Sequence, residues 1–508
     1  MPRLFYGALV TPTSRKEYLA LPHSLLCVSD AGQIAWVANN VLPSDLQNEL
    51  ARHGLSDDPN LDLVELKTGE FLMPGFIDTH THAPQMPNVG SGQQYELLDW
   101  LQEVTFPMEA RFSDPGFART TYETVVRRSI DCGTTTCCYY GTVHLEATKL
   151  LADIVHSRGQ RAFVGKCNMN RESPTYYIEP STEESISATR SLIEHIRSLP
   201  ASCPPDSPPL VQPVLTPRFA ISCTSDLLSS LGDLARSDPT LTIQTHISEN
   251  ASEIAYTKVL FPPESLPPLP PSAGEASRKA RDTYAGVYDA YGLLRHNTIL
   301  AHGVHLEDVE IEVIKAQGAG VSHCPTSNFN LSSGCAKVGA LLDKGIKVGL
   351  GTDVSGGFSP SILRTVQDAS ICSKVVAMSA PSKPDDSDGF TNRQLPVATL
   401  LHLATLGGAE VCGLGSRVGQ LAPGRAFDAL VVSIRTDVGN PAVWSADLDA
   451  RLDVAASGGE LGYEGGRGQT ETEELEGMLE RFLFCGDDRN VRRVYVQGRL
   501  VGGKEYTM

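Results

Sequence analysis

The chain lacks any apolar run approaching the ~20 residues that a membrane-spanning helix needs, so none of its 508 residues is expected to cross a bilayer. It is also short of basic charge: 42 Lys and Arg stand against 60 Asp and Glu, a formal net charge of −18. Nucleic-acid binding rests on neutralising phosphates with Lys and Arg, so nucleic acid is disfavoured as a partner. An anionic membrane surface is disfavoured for the same reason. The 12 cysteines are scattered, with no C-x-x-C pair, and reduced thiols in the cytosol are the simplest reading. The apolar stretch 4–10 is too short for a signal core and is followed by Pro12, so no N-terminal leader is expected.

What is present is an ordinary globular composition, 41% hydrophobic and 20% charged. Length alone suggests about three domains, but a single (β/α)8 barrel takes ~250 residues or more. From residue 71 onward, strand-like runs alternate with helix-like stretches. Eight runs can be counted, at 71–80, 134–141, 161–169, 210–219, 241–249, 298–306, 318–328 and 347–357. Amphipathic stretches such as 122–131, 146–158 and 185–199 lie between them. Alternating strand and helix implies a parallel sheet, and eight units imply a closed barrel. Short strands with turns at both chain ends carry too little apolar surface to stand alone. The expected fold is therefore an α/β, TIM-like (β/α)8 barrel at 73–417 beside a small composite β-sandwich. The sandwich would be built from 1–72 and 418–508. Segments 201–209 and 261–274, rich in Pro and Ser, and 458–474, rich in Gly and Glu, read as surface loops.

Most of the eight runs finish in polar or ionisable residues, where barrel enzymes place their chemistry. The segment 71–82 reads FLMPGFIDTHTH. Side chains on a strand alternate faces, so His80 and His82 point the same way at its end. His246 ends the fifth run, His302 lies in the sixth and Asp353 follows the eighth. His80, His82, His246 and Asp353 together offer three nitrogens and one carboxylate, a set that suits Zn2+, or Fe2+ in some contexts, and leaves a position for water. Zinc can lower the pKa of bound water from ~15.7 to about 7. Taken singly, these residues have ordinary readings as core histidines or a loop acid; their joint placement at strand ends favours the metal. Glu249, three residues past His246, is a candidate proton carrier. His302 is a candidate donor to the water or ligand of a second metal.

These features resemble the amidohydrolase superfamily, and within it the guanine deaminases of animal and fungal type. The resemblance rests on PGFIDTHTHAPQ (74–85), RAFVGK (161–166), TPRF (216–219), THISE (245–249), AHGVHL (301–306), HCPTSNFNLSSG (323–334) and GLGTDVSGG (349–357), and covers nearly the whole chain. It implies hydrolysis of free guanine by water to xanthine and ammonia, in a cytoplasmic homodimer. It also implies that His80, His82, His246 and Asp353 hold Zn2+ and that Glu249 shuttles protons, with His302 and Asp353 as further catalytic groups. Gln85, Arg218 and Phe219, with His246 and Glu249, would meet the purine. Many superfamily members bridge two metals with a carbamylated Lys on the fourth strand. Here that strand ends in TPRF, so one zinc per chain is expected and Lys166, on the third strand, reads as a structural or rim lysine. After RAFVGK the chain continues CNMNRES (167–173), a departure from the family pattern at the expected mouth. Arg218 has only donors and should favour an exocyclic oxygen over an amine, whereas Gln85, with both donors and an acceptor, should adapt to either.

Three other readings compete. An aminohydrolase of the same fold could act on adenosine-like, cytosine-like or triazine rings. A metal-free scaffold would have lost ligands that this chain keeps. The cytidine-deaminase type needs H-x-E followed by P-C-x-x-C. His144-Leu145-Glu146 and His305-Leu306-Glu307 match the first half, but no P-C-x-x-C exists.

Overall fold

The structure, a computed structural model, describes residues 2–55, 61–201, 208–380, 388–444 and 470–507. Eight parallel strands form a closed barrel. In chain order they are β1 (Phe76–His82), β2 (Thr134–Tyr140), β3 (Arg161–Gly165), β4 (Val211–Pro217), β5 (Thr242–Ile247), β6 (Thr298–His302), β7 (Gly320–His323) and β8 (Lys347–Leu350). Each pairs with the next, and Leu350 opposite Asp78 closes the ring from β8 to β1. A two-residue strand, Cys167–Asn168, continues β3 past Lys166 and pairs with the end of β4.

The expected helices between strands are present and a little longer than the amphipathic stretches alone indicate. Pro115–Asp131 starts where the Asp114 carboxylate accepts from the backbone N–H of Gly116 and Phe117, with Pro115 at the first helical position. Leu145–Arg158 ends on Gly159 at φ 74°, the left-handed cap that glycine supplies without a Cβ penalty. Thr182–Arg197 is capped by Ser181.

Both chain ends join one eight-stranded sheet, as expected. Its order is Arg499–Gly502, Val491–Val496, Ala429–Ser433, Glu70–Pro74, Arg3–Pro12, Tyr18–Val28 and Ile34–Asn39, with Asp62–Glu65 also on Arg3–Pro12. Phe5, Leu26, Leu72, Phe427, Val431 and Tyr495 bury one another across it, so neither end has a core without the other. A separate cluster joins Ile77, Cys138, Phe163, Val214 and Ile299 of five barrel strands to Val411, Cys412, Leu414 and Val418. The 11 cysteines among the described residues are free.

Several boundaries differ from the sequence reading. The run at 71–80 is two strands: Glu70–Pro74 belongs to the end sheet and β1 begins at Phe76. The switch falls on Gly75, where an added Cβ would lie 2.1 Å from Thr135 Cγ2. Apolar pattern could not reveal the break, because both strands are buried throughout. The runs at 318–328 and 347–357 are strand only over β7 and β8; Pro325–Asn330 is helical. Of the expected loops, 202–207 and 458–469 lie outside the described residues. Residues 471–474 are helical, the first turn of Glu471–Cys485, with Thr470 and Glu473 forming a capping box. Segment 261–274 is a surface loop, as expected, anchored at Phe261 and Leu266, which are buried. Arg281 donates to the carbonyls of Pro263, Leu266 and Pro267 at 3.1, 2.9 and 3.0 Å.

Candidate active site

At the C-terminal ends of the strands, the backbone turns sharply where the candidate residues sit. His302 and Asp353 adopt φ of 74° and 44°, and Ser248, beside Glu249, 48°. Positive φ costs a non-glycine residue energy and persists only where the surroundings impose it. Here the surroundings are polar and buried. Asp78 accepts from the Thr352 hydroxyl at 2.6 Å, the Thr352 N–H at 3.0 Å and the His80 N–H at 3.2 Å. Burial pushes the Asp78 carboxyl up to about 7 despite the Thr352 donors. The Asp353 N–H donates to the His80 carbonyl at 2.9 Å. The ends of β1 and β8 are thus tied together. After β5, Asn250 caps helix Ala251–Leu260. The Glu253 carboxylate accepts from the N–H of Glu249 at 2.8 Å and of Asn250 at 3.2 Å, which fixes Glu249 in the turn.

The structure brings the metal candidates together. His80 Nε2 lies 3.0 Å and His82 Nε2 3.5 Å from Asp353 Oδ1. The Nε2 atoms of His82 and His246 are 3.1 Å apart. His80, His246, His302 and Asp353 can each offer a ligand atom within 4.8 Å of the others, a group that takes in His302 and leaves out His82 of the sequence-selected four. His302 Nε2 is 3.4 Å from Glu249 Oε2 and 3.7 Å from Asp353 Oδ2.

The donor set fits a divalent cation. His80 Nε2 and His302 Nε2 are buried without a hydrogen-bond partner although carboxylate oxygens stand nearby, as expected of lone pairs directed at a shared point rather than at one another. His246 Nδ1 faces the Arg218 carbonyl at 2.5 Å. A carbonyl only accepts, so Nδ1 carries the proton and Nε2 is left as a lone-pair donor. Burial holds His80 below the usual imidazole range, partly offset by Asp353. Burial and the neighbouring histidines hold His82 and His246 well below it. These rings are therefore neutral, as ligation requires. Burial opposes ionisation of Asp353, yet His80, His302 and His82 around it hold its carboxyl well below the ordinary range. Burial likewise opposes charge on His302, but Glu249 and Asp353 outweigh it and raise the imidazole. Burial raises Glu249 to about 7, against the pull of His302.

Beside the cluster is a cavity. Gln85, Arg218, Phe219, Glu249 and Asp353 line it together, with His82 and His246 at its metal end and Leu97, Trp100, Leu101 and Leu331 as apolar wall. The wall residues come mostly from the segment after β1, which includes a π-helical turn at Leu101–Thr105. Lys166 is elsewhere: its ammonium donates to the Cys167 carbonyl at 2.9 Å and pairs with Glu179, the structural role. Of the divergent loop 167–173, Met169 reaches the site, its Sδ 3.7 Å from Arg218 Nη1.

The sequence reading missed Glu109. It is fully buried and accepts from Arg218 Nη1 at 2.6 Å, Arg218 Nη2 at 3.1 Å, Gln85 Nε2 at 2.8 Å and the Tyr177 hydroxyl at 2.5 Å. A single acid in FPMEARF carries no spacing signal. It also missed Trp100 and its neighbours, apolar residues that carry no chemical motif. Asn328 and Ser333, partners of His302 Nδ1 at 2.9 Å and Glu249 Oε1 at 3.2 Å, do lie in the noted motif 323–334. Gln85 is not the adaptable group expected. Its Oε1 accepts from the Ser355 N–H at 3.0 Å and its Nε2 donates to Glu109, which fixes the amide's orientation.

The comparisons with known proteins agree with this geometry. Residues 71–501 match the model of the amidohydrolase family. The chain is 42% identical over 502 residues to a probable guanine deaminase of Schizosaccharomyces pombe, covering 99% of this chain and 84% of that one. It is 38% identical to a guanine deaminase of Dictyostelium discoideum, covering 98% of each. A crystal structure of guanine deaminase from C. acetobutylicum, with guanine bound in its active site, superimposes with a TM-score of 0.77 at 30% identity, over 98% of this chain and all of that one. By sequence, fold and the cluster at its strand ends, the chain belongs to the amidohydrolase family.

Proposed function

We propose that the chain hydrolyses guanine to xanthine and ammonia, with one zinc ion held by His80, His82, His246 and Asp353. The observation that carries the reading is the convergence of neutral, buried imidazole nitrogens and the Asp353 carboxylate beside a cavity that also holds Glu249, Arg218 and Gln85. Full-length likeness to guanine deaminases supports guanine as the base.

A zinc ion bound there would act as a Lewis acid and bring the pKa of water near neutrality. The chain's own residues supply the rest. Glu249, with a pKa near 7, can both take and return a proton at neutral pH, the condition for general acid–base catalysis. Ser333 donates to its Oε1, leaving Oε2 towards His302. Asp353, charged at that pH, is a second acceptor for the water's proton. Water's oxygen replaces the amino group at the purine carbon, and Glu249 delivers a proton to the departing nitrogen, so ammonia leaves. Arg218 donates to the purine's exocyclic oxygen, Phe219 presents an apolar face, and Leu97, Trp100 and Leu101 keep bulk water out.

The test is ammonia release from guanine, adenine, guanosine, cytosine and 8-oxoguanine by protein of measured metal content. Equal turnover of adenine and guanine, or activity without metal, overturns the reading. Light scattering on the same sample tests the homodimer that the resemblance implies.

A further inference from the structure

The base-recognising side chains do not hold themselves in place. Arg218 and Gln85 sit on different elements, β4's end and the turn after β1, and both donate to one carboxylate that does not line the cavity. We infer that Glu109 is a positioning residue that sets the donor–acceptor polarity of the base-reading edge, a role that rests on the guanine reading above.

The chemistry follows from which atoms can donate. An ionised carboxylate only accepts. Opposite Glu109, Gln85 must therefore present its amide nitrogen, and its oxygen is turned to the Ser355 N–H. Flipping the amide would set Oε1 against Glu109 and Nε2 against an N–H, losing both bonds. One amide N–H and one oxygen lone pair then remain, each in a defined direction. Arg218 is fixed by the same anion in the plane of its guanidinium and by the Phe106 ring, 5.2 Å from Cζ. Tyr177 takes the fourth approach to Glu109, so the carboxylate cannot swing away.

Guanine's six-membered ring shows an acceptor oxygen next to an N–H donor. 2,6-Diaminopurine carries the same reacting amino group but shows a donor next to an acceptor. A locked edge separates the two bases; an edge whose amide can flip does not. In Glu109→Gln the new amide can donate as well as accept, so a turned Gln85 loses only the Ser355 bond instead of both.

The experiment compares metal-loaded wild type, Glu109→Gln and Glu109→Asp. It measures kcat and KM for guanine and for 2,6-diaminopurine, using the latter as a competitive inhibitor where its turnover is undetectable. In Glu109→Gln the preference for guanine should fall at least ~10-fold, a small part of the ~10⁴-fold or more that a site built to hydrogen-bond one group can achieve, with most of the loss in KM and with metal content retained. Glu109→Asp keeps the negative charge opposite Arg218, and so preserves folding, but withdraws the carboxylate by one methylene; its preference should fall in the same direction and by less. If Glu109→Gln does not fold, Glu109→Asp decides. Unchanged preference, or parallel losses for both bases, assigns Glu109 a merely structural role and overturns the inference. Wild-type protein inactive on guanine sinks the functional reading and this inference with it, an outcome distinct from an active enzyme whose preference ignores residue 109.

Discussion

Replacing Arg218 by Ala should damage stability as well as activity, and by a predictable amount. Arg218 is 2% exposed and Glu109 0%, and they are joined by two hydrogen bonds of 2.6 and 3.1 Å. Removing one member of a buried ion pair costs ~3–5 kcal/mol, because the other charge is left uncompensated. Gln85 and Tyr177 still donate to Glu109 in the variant, and hydrogen bonds to a charged group contribute ~1.5–3 kcal/mol each. That places the loss near the low end, about 3 kcal/mol, a large share of the ~5–15 kcal/mol typical of a folded protein. Removing both charges, in Arg218→Ala with Glu109→Gln, should recover at least ~2 kcal/mol of the summed single losses, as expected of residues in direct contact. The assay is urea unfolding of the four metal-loaded proteins, followed by tryptophan fluorescence, to which Trp100 in the cavity wall contributes. Wild-type-like stability in Arg218→Ala, or strictly additive losses in the double variant, would refute the reasoning. It also follows that lost guanine turnover in Arg218→Ala alone cannot be assigned to base recognition without this control.

Glu249→Gln should fold and keep its metal, since Glu249 is not a proposed ligand, while kcat falls by at least ~10²-fold, the low end for general acid–base catalysis; near-normal turnover removes Glu249 from the mechanism. Metal quantification should find one tightly held ion per chain, with His80→Ala and His246→Ala losing it; two ions, or none in active protein, would contradict the ligand set. Gly75→Ala should lower the thermal midpoint, because the new Cβ would meet Thr135 at 2.1 Å and overpacking of this kind costs ~1–3 kcal/mol. An unshifted midpoint would show that the strand switch has room to spare.

The alternation of strand and helix, the polar strand ends and the His-x-His of β1 were legible without a structure, because barrel strands and their ends obey local periodicity. From that pattern alone His80, His82, His246 and Asp353 could be expected to converge, and the structure places their ligand atoms 3.0–3.5 Å apart in the closest pairs. The split at Gly75 was not legible, because two fully buried strands joined by one glycine read as a single apolar run. Glu109 was not legible either. Its partners lie 24, 68 and 109 residues away, and no local spacing marks an acid that is needed only where those segments meet. Sequence thus determined which residues stand at the strand ends. Tertiary packing decided how they are held, because a buried carboxylate gains its role from the donors that the fold brings around it.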